Sequence, residues 1–594
     1  MKQFQKIGVA AAVASVAAGV VAQSESQISR TETGDLAIVP YYTVRDGVNT
    51  GLHIINTTNN TQVVKVRLRR GTDSKDALDF NLVMSPRDEW TANIGASGDE
   101  TRPVLVTTND TTCTVPEFPE GGALMPETFA DGAEEGYVEV IAMAQVNEDD
   151  QLTSHLAIGA KHADGVPANC ALVRQHFYRV ARTSVGTATV RGTHSSAQVS
   201  SGVCTNTNLG VFPGSEVTAA ATANCSAAVG NITTMEDSDD NALKVSFMLT
   251  DSDGGLEAGD NAVMVEGFGD GPMMTNQQPL SFGLNGLLDY DPLNFELPNL
   301  AYGAYPSSVD ARKTDATSAL TDGTMWTRLA DALDADSIMN DWAAFDAADG
   351  SSVNADWVVT LPGQYVMVNP ICDIYSTYGE GSVSAAAQCA TATSIAAYSA
   401  LGGADRNQLP LLVASSNKGL SLVAGSNMNL WDREEGAIAG TDSNPKPDDP
   451  DLGFSPGGSE GTPPGTPVRI LLPNEVNVID FGEADAPSAL VSDLKLTVTP
   501  PAGTADRGWG RLDIDPVNDS PERWSLGLAD AAGNADDGDV DVPTNLDVGA
   551  FTATDGDDVP VVGFAVWQRS FAAQAGNYGR MVEHSTITST STTR

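Results

Sequence analysis

The chain is 594 residues long, with 41% hydrophobic residues, 57 glycines and 31 prolines, enough for about two to four turn-rich domains. Its 78 acidic against 32 basic residues leave a net charge of -46, spread along the whole length. A field of that sign repels phosphate backbones and acidic headgroups, which excludes nucleic acid and anionic membrane surfaces as partners.

The chain opens on a basic start, Met1-Lys2 with Lys6, followed by a run of small apolar residues from Ile7 to Ala22. Val20-Val21-Ala22 before Gln23 supplies the small residues a signal peptidase needs, so residues 1–22 are expected to be a cleaved export signal. About 16 apolar residues fall short of the roughly 20 that a spanning helix requires. No cysteine precedes Cys113 for a lipid anchor, and no apolar span follows residue 22. The tail from Ser585 to Arg594 has neither a sorting motif nor the aromatic end common in outer-membrane barrels. The mature chain is therefore expected at the cell surface, outside the cell or in the periplasm, without inserting directly into a membrane.

Residues 23–441 read as a β-rich N-terminal region that could hold more than one sandwich. Its first strands are predicted at Leu36 to Val44, Leu52 to Asn56, Gln62 to Arg69, Leu78 to Met84 and Glu89 to Ile94, punctuated by Asp46-Gly47, Asn59-Asn60 and Ser85-Pro86. Val64, Val66 and Leu68 alternate with Lys65, Arg67 and Arg69, so one face is expected to be buried and the other polar. About ten residues per strand is the spacing of an antiparallel sandwich.

Further strands are predicted at Tyr137 to Ala144, Leu156 to Ala160, Leu243 to Leu249, Ala262 to Phe268, Trp357 to Val368 and Leu411 to Ala424. One or two helical insertions interrupt them. Trp326, Leu329, Leu333 and Trp342 recur at roughly helical spacing, which predicts a helix from Met325 to Phe345, and Ala385 to Leu401 reads as a second helix or a loop. Residues 442–467, rich in Pro, Gly and Asp, form an exposed linker between domains or a long loop within one sheet. Residues 468–594 read as a β-rich C-terminal region, with strands at Val468 to Phe481, Leu494 to Val498, Trp509 to Ile514, Trp524 to Leu526 and Val559 to Arg569.

Six cysteines in an exported chain suggest three disulfides, with local pairs Cys204 with Cys225 and Cys372 with Cys389, leaving Cys113 with Cys170. No C-x-x-C occurs, so thiol redox chemistry has no support. The acidic clusters around Asp237, Asp239, Asp251 and Asp253, and around Asp537, Asp539 and Asp541, offer the oxygens calcium takes. Neither is a full EF-hand, because Ala242 and Met248 stand where Gly and Glu belong in the first and Val542 and Val548 in the second. Both also read as solvated acidic surface. Calcium is the one cofactor suggested.

The G-x-S-x-G match at Gly457 to Gly461 lies in the Pro/Gly stretch without the strand and helix a nucleophile elbow needs, and is read as coincidence. The six histidines form no ligand motif. Asn-x-Ser/Thr sequences at Asn56, Asn59, Asn109, Asn224 and Asn231 are expected to mark exposed loops.

The runs Ile38 to Val44, Asn56-Thr57-Thr58, Val64 to Arg67 and Ser85 to Trp90 resemble uncharacterised exported surface proteins of Gram-negative proteobacteria. Similar pieces recur at Asp356 to Pro362, Leu472 to Val478, Gly508-Trp509-Gly510 and Val562 to Val566. The resemblance implies a shared framework of strands and turns, and carries over no catalytic residue. These readings lead to a structural or binding protein that acts by self-assembly or adhesion to other surface components. An extracellular polysaccharide hydrolase using acidic residues and a calcium-dependent adhesin are the alternatives.

Overall fold

The computed structural model describes residues 26–72, 76–127, 130, 132–146, 154–175, 180–182, 188–190, 204–205, 216–217, 236–251, 255–269, 273, 298, 300, 329, 332–346, 351–363, 426–433, 468–470, 472, 474–481, 488–500, 506–514, 560–571 and 578–587. The fold is mainly β. The five early runs are strands, Leu36–Thr43, Asn49–Asn56, Thr61–Arg70, Asp76–Met84 and Glu89–Ala96, each within a few residues of its expected bounds.

They divide between two antiparallel sheets. The first runs, in spatial order, Gln27–Ile28, Val263–Glu266, Leu36–Thr43, Glu135–Val146, Thr61–Arg70, Asp76–Met84 and Cys113–Val115. The second runs Leu256–Asn261, Leu243–Asp251, Asn49–Asn56, Glu89–Ala96, Val104–Thr107 and Ala123–Leu124. Register fixes which side chains face each other: Val64, Val66 and Leu68 lie beside Leu82, Phe80 and Leu78 on one face of the first sheet. That face packs on the second sheet, where Phe80 meets Trp90 with ring centroids 5.6 Å apart and Phe118 closes the cluster edge-on.

The opposite face of the Thr61–Arg70 strand departs from expectation. Lys65, Arg67 and Arg69 were expected on the open side of a half-buried sheet, yet they are as inaccessible as the valines between them. Alternation reports that two faces differ in chemistry, and here both are covered. What makes burial tolerable is opposite charge at matching register. Asp79 lies across from Arg67 on one neighbouring strand and Glu139 across from it on the other. Asp79 takes the Lys65 ammonium, and Glu139 takes the Arg69 guanidinium through two contacts, at 3.2 Å and 3.3 Å. The Tyr137 hydroxyl donates to Glu139 at 3.1 Å and also reaches Glu475 at 3.4 Å.

The third sheet carries the C-terminal strands in the order Val468–Ile470, Ser426–Trp431, Arg507–Asp513, Ser337–Asp346, Ser351–Thr360, Val476–Phe481 and Lys495–Val498. Val562–Phe571 also pairs with Ser351–Thr360, Tyr578–Glu583 adds beyond it, and Ser585–Ile587 joins Ser337–Asp346. The Pro/Gly/Asp stretch lies outside the described residues, but the strands before and after it pair directly, with Ser426 opposite Ile470. It therefore connects neighbours in one sheet.

This sheet docks on the first sandwich through Thr360, which donates to the Pro40 carbonyl at 2.7 Å, and Val476, whose N–H donates to Gly71 at 2.8 Å. Glu135 ties the same junction: it accepts from Ser492 Oγ at 2.6 Å and from the Asp493 N–H at 2.8 Å, and it pairs with Arg45 at 2.9 Å.

Two element types differ from expectation. The Met325 to Phe345 helix is absent at its C-terminal half, where Ser337–Asp346 is a strand. Its Ala/Asp spacing imitates a helix, but Ile338 and Trp342 bury between sheets while Asp341 stays exposed, and partners on both sides satisfy its backbone. Conversely Ser154–Ala160 is a helix instead of a strand, packed against a second short helix, Cys170–Gln175. The regions Ala385 to Leu401, Leu411 to Ala424 and Trp524 to Leu526 lie outside the described residues. Asn56 is not in an exposed loop, since its buried amide donates to the Ser85 and Asn60 carbonyls at 2.8 Å.

Cys113 and Cys170 are bonded across 57 residues, tying the helical pair to the edge of the first sheet. Replacing both by Ser is expected to cost about 4 kcal/mol through the released loop entropy, read as a lowered urea midpoint. Glu139→Gln, which removes the carboxylate charge that holds the buried Arg69 guanidinium, is expected to cost about 3–5 kcal/mol in urea titration. The double change Glu139→Leu with Arg69→Met is expected to cost less than that single change.

Candidate functional site

The third sheet turns one face inward, with Met428, Leu430 and Leu512 buried, and the alternate residues of the same strands outward. Outward on Ser426–Trp431 are Asn429 and Trp431; outward on Arg507–Asp513 are Trp509, Arg511 and Asp513. Trp431 lies directly opposite Trp509 in the ladder, and their rings stack 4.0 Å apart and 8° from parallel. Gly508 allows this approach, because a side chain there would place Cβ 1.7 Å from the Trp431 carbonyl oxygen.

Trp509 nevertheless keeps 39% of its surface exposed, and it is the one large exposed apolar residue among the described residues of the two strands. Farther along the same face, four residues from Trp509, Asp513 accepts from Asn429 Nδ2 at 2.9 Å and pairs with Arg511 Nε at 2.8 Å. A flat, rigid aromatic edge bordered by oriented donors and acceptors is equipped to bind a partner with both apolar and hydroxyl-like surface.

A second cluster gathers at the disulfide-tied end of the first sandwich. His162 Nδ1 lies 3.2 Å from Ser85 Oγ and 3.5 Å from Asp88 Oδ2, while Nε2 lies 3.3 Å from Thr111 Oγ1. A Ser-His-Asp relay needs the acid and the hydroxyl on opposite ring nitrogens. Ser85 and Asp88 share the same one, and Thr111 donates its hydroxyl to the Gly165 carbonyl at 3.0 Å. These contacts fasten the segment around His162 to the sheet end. The desolvated Asp88 carboxyl is held above its ordinary range, although the neighbouring His162 pulls it the other way.

The strongest perturbations belong to groups sealed from solvent. Asp356 and Asp480 are directly opposed across Ser351–Thr360 and Val476–Phe481, and both are inaccessible. Asp356 accepts from Ser488 Oγ at 2.6 Å and from the Leu490 N–H at 2.7 Å, while Lys495 sits 3.2 Å from Asp480. Burial pushes the Asp356 carboxyl up to about 7, and the facing Asp480 charge acts in the same direction. Asp35, buried beneath the Phe268 and Gly269 N–H groups, is likewise raised to about 7 by burial. His584, under Trp357 and 3.0 Å from the Val358 carbonyl, is lowered by burial to about 4. No substrate reaches such carboxylates in this arrangement.

The acidic candidates do not converge. Asp237 and Asp239 precede the Leu243–Asp251 strand and Asp251 ends it, so the strand's eight steps of about 3.3 Å separate them by roughly 26 Å. One calcium ion, with ligands within about 2.6 Å, cannot use both ends. Asp239 instead accepts from Gln145 at 3.3 Å. Asp253, Asp537, Asp539 and Asp541 lie outside the described residues, as do Cys225, Cys372 and Cys389. Among the described residues no three metal-ligating side chains come together. The tryptophan pair was missed because neighbouring strands in space are far apart in sequence. Its one trace is that Trp431 and Trp509 fall in the polar phase of their strands, two residues after Asn429 and two before Arg511.

The buried groups set opposing pH slopes. Between about 4 and 7, folded Asp356 and Asp35 hold protons that the unfolded chain has released, so their contribution to stability falls as pH rises. His584 acts in reverse: from about 6.5 down to about 4 the unfolded imidazole takes a proton the folded one refuses, so its contribution falls as pH falls. In Asp356→Asn the first slope loses one contributor. The stability of the native chain relative to this variant is expected to decline from pH 4 to 7, by up to about 1.4 kcal/mol per pH unit, in paired melting curves. A constant difference would show that the buried carboxyl is charged throughout.

No family model, curated protein or solved structure matches the chain.

Proposed function

We propose that this chain is an exported protein of the cell surface or extracellular space that acts by noncovalent binding, attaching itself to another surface component. The observation that carries this reading is the Trp431–Trp509 stack on the outer face of the third sheet, with Trp509 exposed and Trp431 half-buried. The sheet's hydrophobic requirement is met on its other side by Met428, Leu430 and Leu512, so folding does not demand an exposed indole at Trp509. Trp509 gives this polar face a flat apolar surface that a partner can cover.

The basic and apolar start of the chain supports the assignment to export, and the Cys113–Cys170 bond fits an oxidising compartment. The hydrolase alternative calls for two carboxyls that substrate can approach. The facing pair Asp356 and Asp480 is sealed inside and does not supply them.

Purified chain mixed with envelope fragments of its host is expected to sediment with them. The double variant Trp431→Ala, Trp509→Ala is expected to stay in the supernatant while keeping its far-ultraviolet circular dichroism. Equal sedimentation of the two proteins, or of neither, would overturn the reading.

A further inference from the structure

The partner class can be narrowed by what surrounds the two rings, on the reading that this face binds. We infer that the Trp431–Trp509 face takes a neutral polysaccharide, stacking a sugar ring on indole and hydrogen-bonding its hydroxyls to Asn429, Arg511 and Asp513.

Charge is the first argument. The chain carries -46 overall, yet three arginines of this face are each paired, Arg507 with Asp506, Arg511 with Asp513 and Arg580 with Asp341. Asp432 and Arg433, next to Trp431, add one of each sign. A uronate or sulfated polymer would gain no net attraction here and would be opposed by the acidic body of the protein. A neutral ligand meets neither obstacle.

The second argument is chemical pairing. A pyranose presents C–H groups on one side and hydroxyls, each both donor and acceptor, around its rim. Indole supplies a flat apolar surface with negative density that matches C–H groups. Asn429 offers an amide, Asp513 a carboxylate and Arg511 a planar fork, which together donate and accept, as sugar hydroxyls require. Arg511 is itself 41% exposed and Asp513 23% exposed, so both combine a fixed partner inside the cluster with polar surface left for a ligand.

The third is rigidity. Each ring holds the other at 8° from parallel in a cross-strand pair, and the Asn429–Asp513–Arg511 contacts lock the polar groups beside it. Little side-chain freedom remains to be lost on binding, which favours a weakly attractive, well-hydrated ligand such as a sugar chain. A protein partner of stable affinity covers about 800 Å² per side around buried apolar anchors, and the described strands of the third sheet expose three large apolar residues, Trp509, Val582 and Ile587, each on a different strand.

The test is affinity electrophoresis of the full chain through gels containing a soluble neutral β-glucan, a neutral galactomannan or the polyuronate alginate. Retardation is expected in at least one neutral gel and not in alginate. Trp509→Ala should weaken it roughly tenfold or more, the scale of one lost stacking contact. Trp509→Tyr, which keeps a ring, should retain most of it, and this guards against a folding defect in the alanine variant. Retardation by alginate alone, by none of the three, or equally in Trp509→Ala would overturn the inference.

Envelope fragments separate this inference from the binding reading beneath it. Periodate, which cleaves sugar diols, is expected to abolish sedimentation of the chain with fragments, and protease treatment to leave it. The reverse pattern would overturn the polysaccharide while leaving binding through this face intact, and absence of sedimentation with untreated fragments would overturn both.

Discussion

The ion network on the second face of the Thr61–Arg70 strand is the constraint around which the rest of the protein is arranged. Lys65, Arg67 and Arg69 cannot be buried unless carboxylates arrive from both neighbouring strands at the right register, and Asp79 and Glu139 do so. A slip of one residue in either pairing would send those carboxylates to the apolar face and leave the cations uncompensated. The charged side chains thus select a register that hydrophobic contacts alone would select less sharply. The desolvation cost of each ion makes every wrong pairing expensive.

The same network explains why the C-terminal strands belong to this fold instead of forming a separate body. Tyr137 OH is shared between Glu139 and Glu475, and Glu475 precedes the strand whose Val476 N–H caps the Gly71 carbonyl. Glu135, at the start of the strand that supplies Glu139, collects Arg45, Ser492 and Asp493 at the same junction. The space at Gly71 is equally tight, since a Cβ there would lie 2.5 Å from Leu494 Cδ1. Polar matching and close approach coincide at one seam, so the third sheet has a defined seat on the first.

How much of this the sequence discloses follows from the range over which each signal acts. Strand bounds from Leu36 to Ala96 are legible because period-two alternation and turn residues act within ten residues. Burial of Lys65, Arg67 and Arg69 is not, because the covering groups come from residues far along the chain, Glu139 and Glu475 among them. Ser337–Asp346 misleads for a related reason: its Ala and Asp content favours a helix locally, while pairing with Arg507–Asp513 and Ser585–Ile587 decides otherwise. The stacked indoles are separated by 78 positions, so neither Trp announces the other. The acidic clusters are plain in the sequence, yet a straight strand keeps Asp239 and Asp251 apart.

The distribution of charge then links the interior to the outer face. Among the described residues four bases are buried, Lys65, Arg67, Arg69 and Arg70, together with seven acids, so the acidic exterior follows from the excess of 78 acids over 32 bases and not from burial. Against that exterior, a face where Arg511 pairs with Asp513 and Arg580 with Asp341 also carries the stacked indoles, whose outward position the core does not require. A neutral ligand gains nothing from the acidic field and suits a face whose own charges are already paired. The balanced third-sheet face meets this condition, and the apolar content of its two rings supplies the attraction that balance alone does not.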